Sequence, residues 1–273
     1  MTVSIRRMSL GSGFRYLMSS VAQSDGAGLQ TSALTRYYAE TGTPPGRFLG
    51  VGLAGLADGA GVPAGTQVGE EHLFRMLGRL QDPVTGTQLG APPRTFTRTN
   101  GDRAVGGILT ESLTGILTGP TSNHSELLTR PKPPQTPAQS RLPQPVAGFD
   151  LTFSAPKSVG VAWALADPTI QAVIYDAHQQ ALNHVIRYAE RHVFSSRSGK
   201  NGVVQEDIRG VVAAAFDHWD SRTGDPQLHT HVVIMNRVRC DCDGVWRALD
   251  SRGLFKSTVA LSAMYNGVLS DYL

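Results

Sequence analysis

Alternating apolar and polar positions predict four β-strands in two separate parts of the chain. Near the N-terminus, apolar and polar residues alternate over residues 2–8. In FDLTFS at 149–154, the same alternation places three apolar side chains on one face. Two longer segments, near 208–216 and 227–238, follow in the last third of the chain. Side chains alternate between the two faces of a strand, so this period of two predicts strands covered on at least one side.

Helical spacing dominates between these strands. Apolar residues recur every three to four positions at 70–80 and most extensively at 169–191, where Asp167 and Pro168 precede the first turn. Shorter helices are predicted from Gly11 through Val21, before Asp167 at about 158–166, and from Ser257 to the end. The order of the elements predicts an α+β fold, a two-layer sandwich with a mainly antiparallel sheet flanked by helices.

Residues 119–148 interrupt the pattern. This segment contains seven of the 16 prolines and shows little apolar periodicity, which is typical of a long excursion without regular structure. The strand that follows at 149–154 needs partners from before the excursion. We therefore expect one domain over residues 1–273 rather than two joined by a linker.

Composition excludes some classes and leaves nucleic-acid binding open. Apolar residues make up 40% of the chain, charged residues 17%, and no apolar run is long enough for a transmembrane helix. The first residues lack the apolar core of an export signal, and Cys240 and Cys242 are too close to favour a disulfide, so a cytoplasmic protein is expected. The net charge of +3 is weak evidence for a polyanionic ligand, although 21 Arg against 4 Lys suits phosphate binding.

Three histidines in the last third form the clearest chemical pattern. His229 and His231 lie in the HTH sequence, where a strand would project both from one face about 7 Å apart. His218 precedes His229 by eleven residues, and the SRTGDP sequence between them predicts a turn that returns it to the pair. Three imidazoles on one face can bind a divalent metal and leave positions for substrate oxygens. The alternative is that HTH serves surface or packing roles, as most such pairs do.

The other histidines of the long helix fit this site poorly. His178, His184 and His192 all belong to residues 169–191 or its end, and His184 lies far around the helix from His178. We interpret them as polar-face residues of an amphipathic helix.

Four segments together resemble the MobF relaxases of conjugative plasmids, whose N-terminal domains belong to the HUH endonucleases. DPQLHTH at 225–231 with His218 is similar to the family's three-histidine site, and FDLTFSAPKSV at 149–159 to its strand with a conserved acid. SLGSGFRY at 9–16 is similar to the entry to the catalytic tyrosine, and RYY at 36–38 to a second tyrosine pair. The resemblance spans the chain, which would then be the N-terminal part of a longer protein.

This resemblance implies an enzyme that nicks one DNA strand at a plasmid origin of transfer and rejoins it elsewhere. His218, His229 and His231 would hold a divalent ion, Mg²⁺ or Mn²⁺, and Asp150 would accept a hydrogen bond from a ligand histidine. Tyr16 would attack the scissile phosphate and form a 5′-phosphotyrosine link.

The tyrosines depart from the family pattern. Leu17 follows Tyr16 where the family has a second tyrosine, and an insertion separates Tyr16 from the pair Tyr37 and Tyr38. Either residue of that pair is therefore a rival nucleophile, and a mechanism that needs two tyrosines becomes less secure.

Single-stranded DNA at the origin is the expected partner, together with accessory relaxosome proteins and a coupling protein, and no membrane insertion is expected. The basic residues predicted to contact DNA are Arg6, Arg7, Lys157, Arg197, Lys200, Arg222 and Lys256. Two alternatives remain: a rolling-circle replication initiator with the same histidine chemistry, or an origin-binding module without catalysis.

Overall fold

The computed structural model describes residues 2–14, 17, 44–93, 144–221 and 223–273. The strands are β1 (Val3–Ser9), β2 (Arg47–Leu49), β3 (Val146–Ser154), β4 (Ser196–Ser198), β5 (Val204–Glu206), β6 (Ile208–Asp220), β7 (Pro226–Cys240) and β8 (Trp246–Arg247). The helices are α1 (Glu70–Leu73, continued by a π-helical segment at Phe74–Arg79), α2 (Lys157–Leu165), α3 (Pro168–His192) and α4 (Ser251–Tyr272). Short 3₁₀ turns lie at Ser12–Phe14, Val51–Gly55, Ala57–Gly59 and Lys200–Gly202.

One antiparallel sheet organises these elements. Its strand order is β1-β3-β7-β6-β2, with β8 paired to the distal half of β7, and β4 and β5 form a separate small hairpin. All the recorded strand pairs are antiparallel. The structure confirms the α+β prediction with a mainly antiparallel sheet flanked by helices.

The two faces of the sheet bury separate cores. On the first face, which we call the helix face, β3 directs Phe149, Leu151 and Phe153 against α3 and α4, and all three are at most 2% exposed. The opposite face packs against α1 and the 3₁₀ turns through residues such as Met76 and Leu77. The alternation in 149–154 therefore does produce two distinct sides, as predicted.

The long helix begins where its sequence indicates. Asp167 caps α3 by accepting hydrogen bonds from the backbone N–H groups of Thr169 and Ile170 at 2.9 and 3.1 Å, and Pro168 occupies its first turn. None of the helices in the described ranges is both long and apolar enough to cross a membrane.

Several boundaries differ from the sequence prediction. β3 starts at Val146, inside the end of the predicted 119–148 excursion, while the rest of that segment, up to residue 143, lies outside the described residues. Helix α4 starts at Ser251 instead of Ser257, because Asp250 caps it by accepting from the Arg252 N–H at 3.1 Å. Residues 196–202 contribute β4 and a 3₁₀ turn to a short hairpin, which the alternation pattern did not predict. The strand β2 was not predicted.

Candidate metal centre

The site begins with the turn between β6 and β7. Ser221 donates its N–H to the Asp225 carbonyl at 2.8 Å and accepts from the Gly224 N–H at 2.9 Å. Gly224 has a φ of 80°, which a residue without a β-carbon adopts at little cost. This tight return sets His218 directly opposite His229 in the ladder, as the SRTGDP sequence predicts.

The three predicted histidines come together on one side of the sheet. Their ring centroids are 5.2 Å apart for His218 and His229, 5.1 Å for His218 and His231, and 5.3 Å for His229 and His231. An ion about 2.1 Å from each ring nitrogen lies about 3.2 Å from each centroid, so three tetrahedral ligands would have centroids about 5.2 Å apart. The observed triangle therefore has the dimensions of a three-imidazole metal site.

The ring orientations are not yet those of bound ligands. Among the described residues, no group of three or more His, Cys, Asp or Glu side chains is arranged as a ready metal site. His218 and His229 lie nearly parallel, with 20° between their ring planes. The spacing of the three rings, and not a completed ligand geometry, therefore defines the candidate site.

Hydrogen bonds already select which nitrogen two of the three rings would offer. The His231 Nδ1 lies 2.9 and 3.0 Å from the two carboxylate oxygens of Asp150, and the His229 Nδ1 lies 2.9 Å from the carbonyl of Gln227. A neutral imidazole that donates through Nδ1 presents Nε2 as its ligand atom. The His218 Nε2 is buried without a hydrogen-bond partner, a costly arrangement that a bound cation would relieve.

Burial favours the neutral rings that metal binding requires. It lowers the pKa of His218 to about 4, with the neighbouring His229 and His231 acting in the same direction. It also lowers the pKa of His229. Because a protonated imidazole cannot ligate, these shifts keep both rings competent at neutral pH.

Asp150 occupies the position expected of a residue that supports a ligand. It lies on β3 opposite Val233, with His231 as its diagonal neighbour on the same face, and it is 3% exposed. Thr152, directly opposite His231, adds an Oγ1 contact of 3.2 Å to the same Nδ1. The sequence prediction did not include this threonine, although its place two residues after Asp150 in the alternating strand could have indicated it.

A polar cluster behind the histidines was also missed. On the helix face, the buried carboxylate of Asp217 accepts hydrogen bonds from Arg47, Tyr175, Gln179 and Thr230. Burial alone would raise the pKa of Asp217, but the Arg47 charge and the hydrogen bonds outweigh it and lower that pKa.

His178 belongs to the same cluster, which corrects its interpretation as a polar-face residue. It is fully buried, with Nδ1 2.6 Å from the Tyr265 hydroxyl and Nε2 2.7 Å from the Thr230 hydroxyl. His184 and His192 are exposed, as expected of a polar face.

The predicted DNA contacts are dispersed. Arg6 lies opposite Asp150 on the histidine side of the sheet, and Lys157 lies beside the β6–β7 turn, where its Nζ donates to the Pro226 carbonyl at 3.2 Å. Arg7 faces the helix side, 5.1 Å from the Phe255 ring. Lys256 follows Phe255 on α4, in the layer that covers the helix face.

Arg197 and Lys200 belong to the small β4–β5 hairpin and not to the strands that carry the histidines. Arg197, in β4, pairs with Asp250 at 2.6 Å, and its neighbour Ser196 bridges to Leu249, whose N–H donates to the Asn236 side chain of β7 at 3.0 Å. Lys200 lies in the 3₁₀ turn between β4 and β5. Arg222, Tyr16, Tyr37 and Tyr38 lie outside the described residues.

Together, the antiparallel sheet and the histidine triangle define an α+β protein with a candidate metal centre beside a hairpin turn. Residues 10–273 match the family profile described as TrwC relaxase. The chain belongs to the TrwC relaxase family, which confirms the resemblance to MobF relaxases.

Relatives and solved structures agree with this assignment. The chain is 37% identical over 122 residues to the multifunctional conjugation protein TraI of Escherichia coli, and 39% identical over 134 residues to TraI of its strain K12. These matches cover 44% and 45% of the chain but only 7% of each relative. This chain therefore corresponds to a small part of those proteins.

The fold is shared with solved structures of the conjugative relaxase TrwC. A metal-bound complex of TrwC with oriT DNA has a TM-score of 0.59 and 24% identity, and the match covers 98% of this chain and 69% of that one. TrwC with a 27-mer DNA that contains the recognition hairpin and the cleavage site has a TM-score of 0.58 and 23% identity, with coverage of 98% and 68%.

Proposed function

We propose that this chain nicks one strand of DNA at a conjugative origin of transfer and holds the cut end covalently. Membership of the TrwC relaxase family over residues 10–273 supports the reaction class. The observation that carries the proposal within the structure is the histidine triangle with Asp150 behind it. In this proposal residues 1–273 act as one nicking domain.

His218, His229 and His231 would hold a divalent cation through their Nε2 atoms. The unpartnered His218 Nε2 and the centroid spacing support this fit. When bound, such an ion polarises a phosphoryl oxygen and offsets the charge that develops there. Of the two expected ions, the all-nitrogen ligand set favours Mn²⁺ over Mg²⁺, which prefers oxygen ligands.

Asp150 would hold His231 in the tautomer that directs Nε2 away from β3. The carboxylate is buried and lies within hydrogen-bond distance of Nδ1, so it opposes both ring rotation and transfer of the proton to Nε2. The Gln227 carbonyl would do the same for His229.

A tyrosine would act as the nucleophile, and we assign this role to Tyr16. Its hydroxyl oxygen would form a bond to the phosphorus of the scissile link, and the bond from phosphorus to the 3′ oxygen would break. The 3′ oxygen would leave with a proton as a free hydroxyl, while the 5′ phosphate would stay on the protein. The phosphodiester is exchanged rather than hydrolysed, so the strand can be rejoined.

Arg6 and Lys157 are the basic residues best placed to contact the DNA backbone. Arg6 is exposed on the same side of the sheet as Asp150, and Lys157 is exposed beside the turn that carries His218 and His229. Phosphate contacts of this kind position a strand without reading its sequence. Accessory relaxosome proteins and a coupling protein would complete the assembly at the origin.

The proposal is tested by incubating the protein with single-stranded oligonucleotides of the cognate origin and Mn²⁺. A covalent adduct that survives denaturing electrophoresis is expected, and Tyr16→Phe should abolish it while DNA affinity stays near wild type. An adduct that disappears only in Tyr37→Phe or Tyr38→Phe would reassign the nucleophile within the same mechanism. Binding without cleavage by the wild type would indicate an origin-binding module and refute the proposal.

A further inference from the structure

A buried polar cluster lies on the helix face of the sheet, directly behind the candidate metal centre. Its central group is the carboxylate of Asp217, which is 1% exposed. One oxygen accepts from the Thr230 hydroxyl at 2.6 Å and the Gln179 amide at 3.0 Å. The other accepts from the Arg47 guanidinium at 2.5 Å and the Tyr175 hydroxyl at 2.8 Å. This one side chain therefore joins β6 to β2, β7 and α3.

The hydrogen bonds continue in one direction from Tyr265 to Asp217. Because the Thr230 hydroxyl donates its only proton to Asp217, it must accept from the His178 Nε2–H at 2.7 Å. The His178 Nδ1 then accepts from the Tyr265 hydroxyl at 2.6 Å. Thr230 is the link between the two halves of this chain, since it contacts both Asp217 and His178.

The register of β6 and β7 gives this cluster its importance. Asp217 lies directly opposite Thr230, and the next pair is His218 opposite His229. The ladder becomes irregular between His218 and Asp220, immediately before the turn. The pair formed by Asp217 and Thr230 is thus among the last regular pairs before this irregularity, and the candidate ligands lie on both sides of it in sequence.

Such a position couples the helix face to the histidine face. If β6 slipped by one residue against β7, its side chains would change faces and His218 would leave the face that carries His229 and His231. Holding the register of these two strands therefore keeps the three rings together. The side-chain bond from Thr230 to Asp217 ties the two strands together independently of the backbone ladder. The Asp217 carboxylate also holds β6 against α3, because it accepts hydrogen bonds from Tyr175 and Gln179 of that helix.

We propose that Asp217, Thr230 and His178 are positioning residues that hold the three candidate metal ligands at their spacing. They touch neither metal nor substrate in this account, and the inference rests on the proposed metal centre. The function of the cluster is to set metal affinity through the register of two strands, in addition to any contribution to stability.

The test uses Thr230→Val, because removing Asp217 would leave the partly buried Arg47 without its ion-pair partner and three other donors without this acceptor, which endangers folding. Valine matches the shape of threonine and breaks only the two side-chain hydrogen bonds. Tyr265→Phe removes a bond one step further from the ladder. Ser262→Ala is the matched control, since this buried hydroxyl accepts from the N–H groups of Thr2 and Val3 at 3.0 and 3.2 Å, away from the histidines.

Two quantities are measured on each variant: the Mn²⁺ dissociation constant, and the unfolding midpoint with a chelator present. Thr230→Val is expected to weaken Mn²⁺ binding by up to about 10-fold, the lower end of the loss that follows removal of a direct hydrogen-bond partner of a ligand, because Thr230 acts through the strand register. Tyr265→Phe should weaken it less. Ser262→Ala should lower the unfolding midpoint and leave Mn²⁺ affinity unchanged. Saturating Mn²⁺ should restore DNA cleavage by Thr230→Val, because only the occupancy of the site is reduced.

The outcomes separate this inference from the proposal on which it rests. Wild-type affinity in Thr230→Val would refute the positioning role while leaving the metal centre intact. An equal loss of affinity in Ser262→Ala would also refute it, because general destabilisation would then explain the effect. A wild-type protein whose Mn²⁺ binding is absent, or is unaffected by His229→Ala, would refute the metal centre itself and this role with it.

Discussion

Replacing Asp150 tests whether the buried carboxylate supports the metal centre. Asp150→Ala removes both oxygens that lie 2.9 and 3.0 Å from the His231 Nδ1 and keeps the Thr152 contact to that nitrogen at 3.2 Å. Losses of this kind typically weaken metal binding by about 10- to 100-fold. At about 1.4 kcal/mol for each factor of ten, the expected cost is roughly 1.4–2.8 kcal/mol.

Isothermal titration with Mn²⁺ measures this loss directly. Asp150→Asn keeps a neutral acceptor of the same shape, so its affinity should fall between those of the wild type and Asp150→Ala. Asp82→Asn is the control, because this carboxylate is 2% exposed and accepts from the N–H groups of Ala57 and Val84, away from the histidines. Unchanged affinity in Asp150→Ala, or an equal loss in Asp82→Asn, would contradict the reasoning.

Two further predictions concern charge. In chelator, the free energy of unfolding should decrease as the pH falls from about 6.5 towards 4. Burial lowers the pKa of both His178 and His218 to about 4, so the unfolded chain binds more protons than the folded chain in that pH window. Circular dichroism at a series of pH values measures the free energy of unfolding, and a constant value between about pH 6.5 and 4 would be the contrary result. Arg6→Ala and Lys157→Ala should each weaken single-stranded DNA binding and reduce the slope of log affinity against log salt by about 0.7. Arg197→Ala should leave that slope unchanged, since the Arg197 side chain is paired with Asp250. Equal salt slopes in all three variants would count against Arg6 and Lys157 as DNA contacts.

Local patterns were sufficient to predict the main strands and the long helix. Alternation over 149–154 and the cap at Asp167 are short-range signals, and the structure follows both. The turn between β6 and β7 was also predictable from a short sequence, SRTGDP, and it predicted that His218 lies close to His229. Each of these features depends on residues that are close together in the sequence.

Features that depend on distant partners were not predictable in this way. Strand β2 has only three residues, and it becomes a strand because Phe48 and its neighbours pair with β6. His178 looked like a polar-face residue because its partners, Thr230 and Tyr265, are 52 and 87 residues away. The Asp217 cluster was hidden for the same reason, since its donors come from three other elements.

The most direct test of the central claim is which DNA fragment remains on the protein after cleavage. An oligonucleotide of the cognate origin is labelled at its 5′ end in one sample and at its 3′ end in another, incubated with the protein and Mn²⁺, and separated under denaturing conditions. We expect that only the 3′-labelled fragment migrates with the protein, through its 5′ phosphate, while the 5′-labelled fragment is released with a free 3′ hydroxyl. Release of both fragments from a cut strand would show hydrolysis by water and contradict a tyrosine nucleophile.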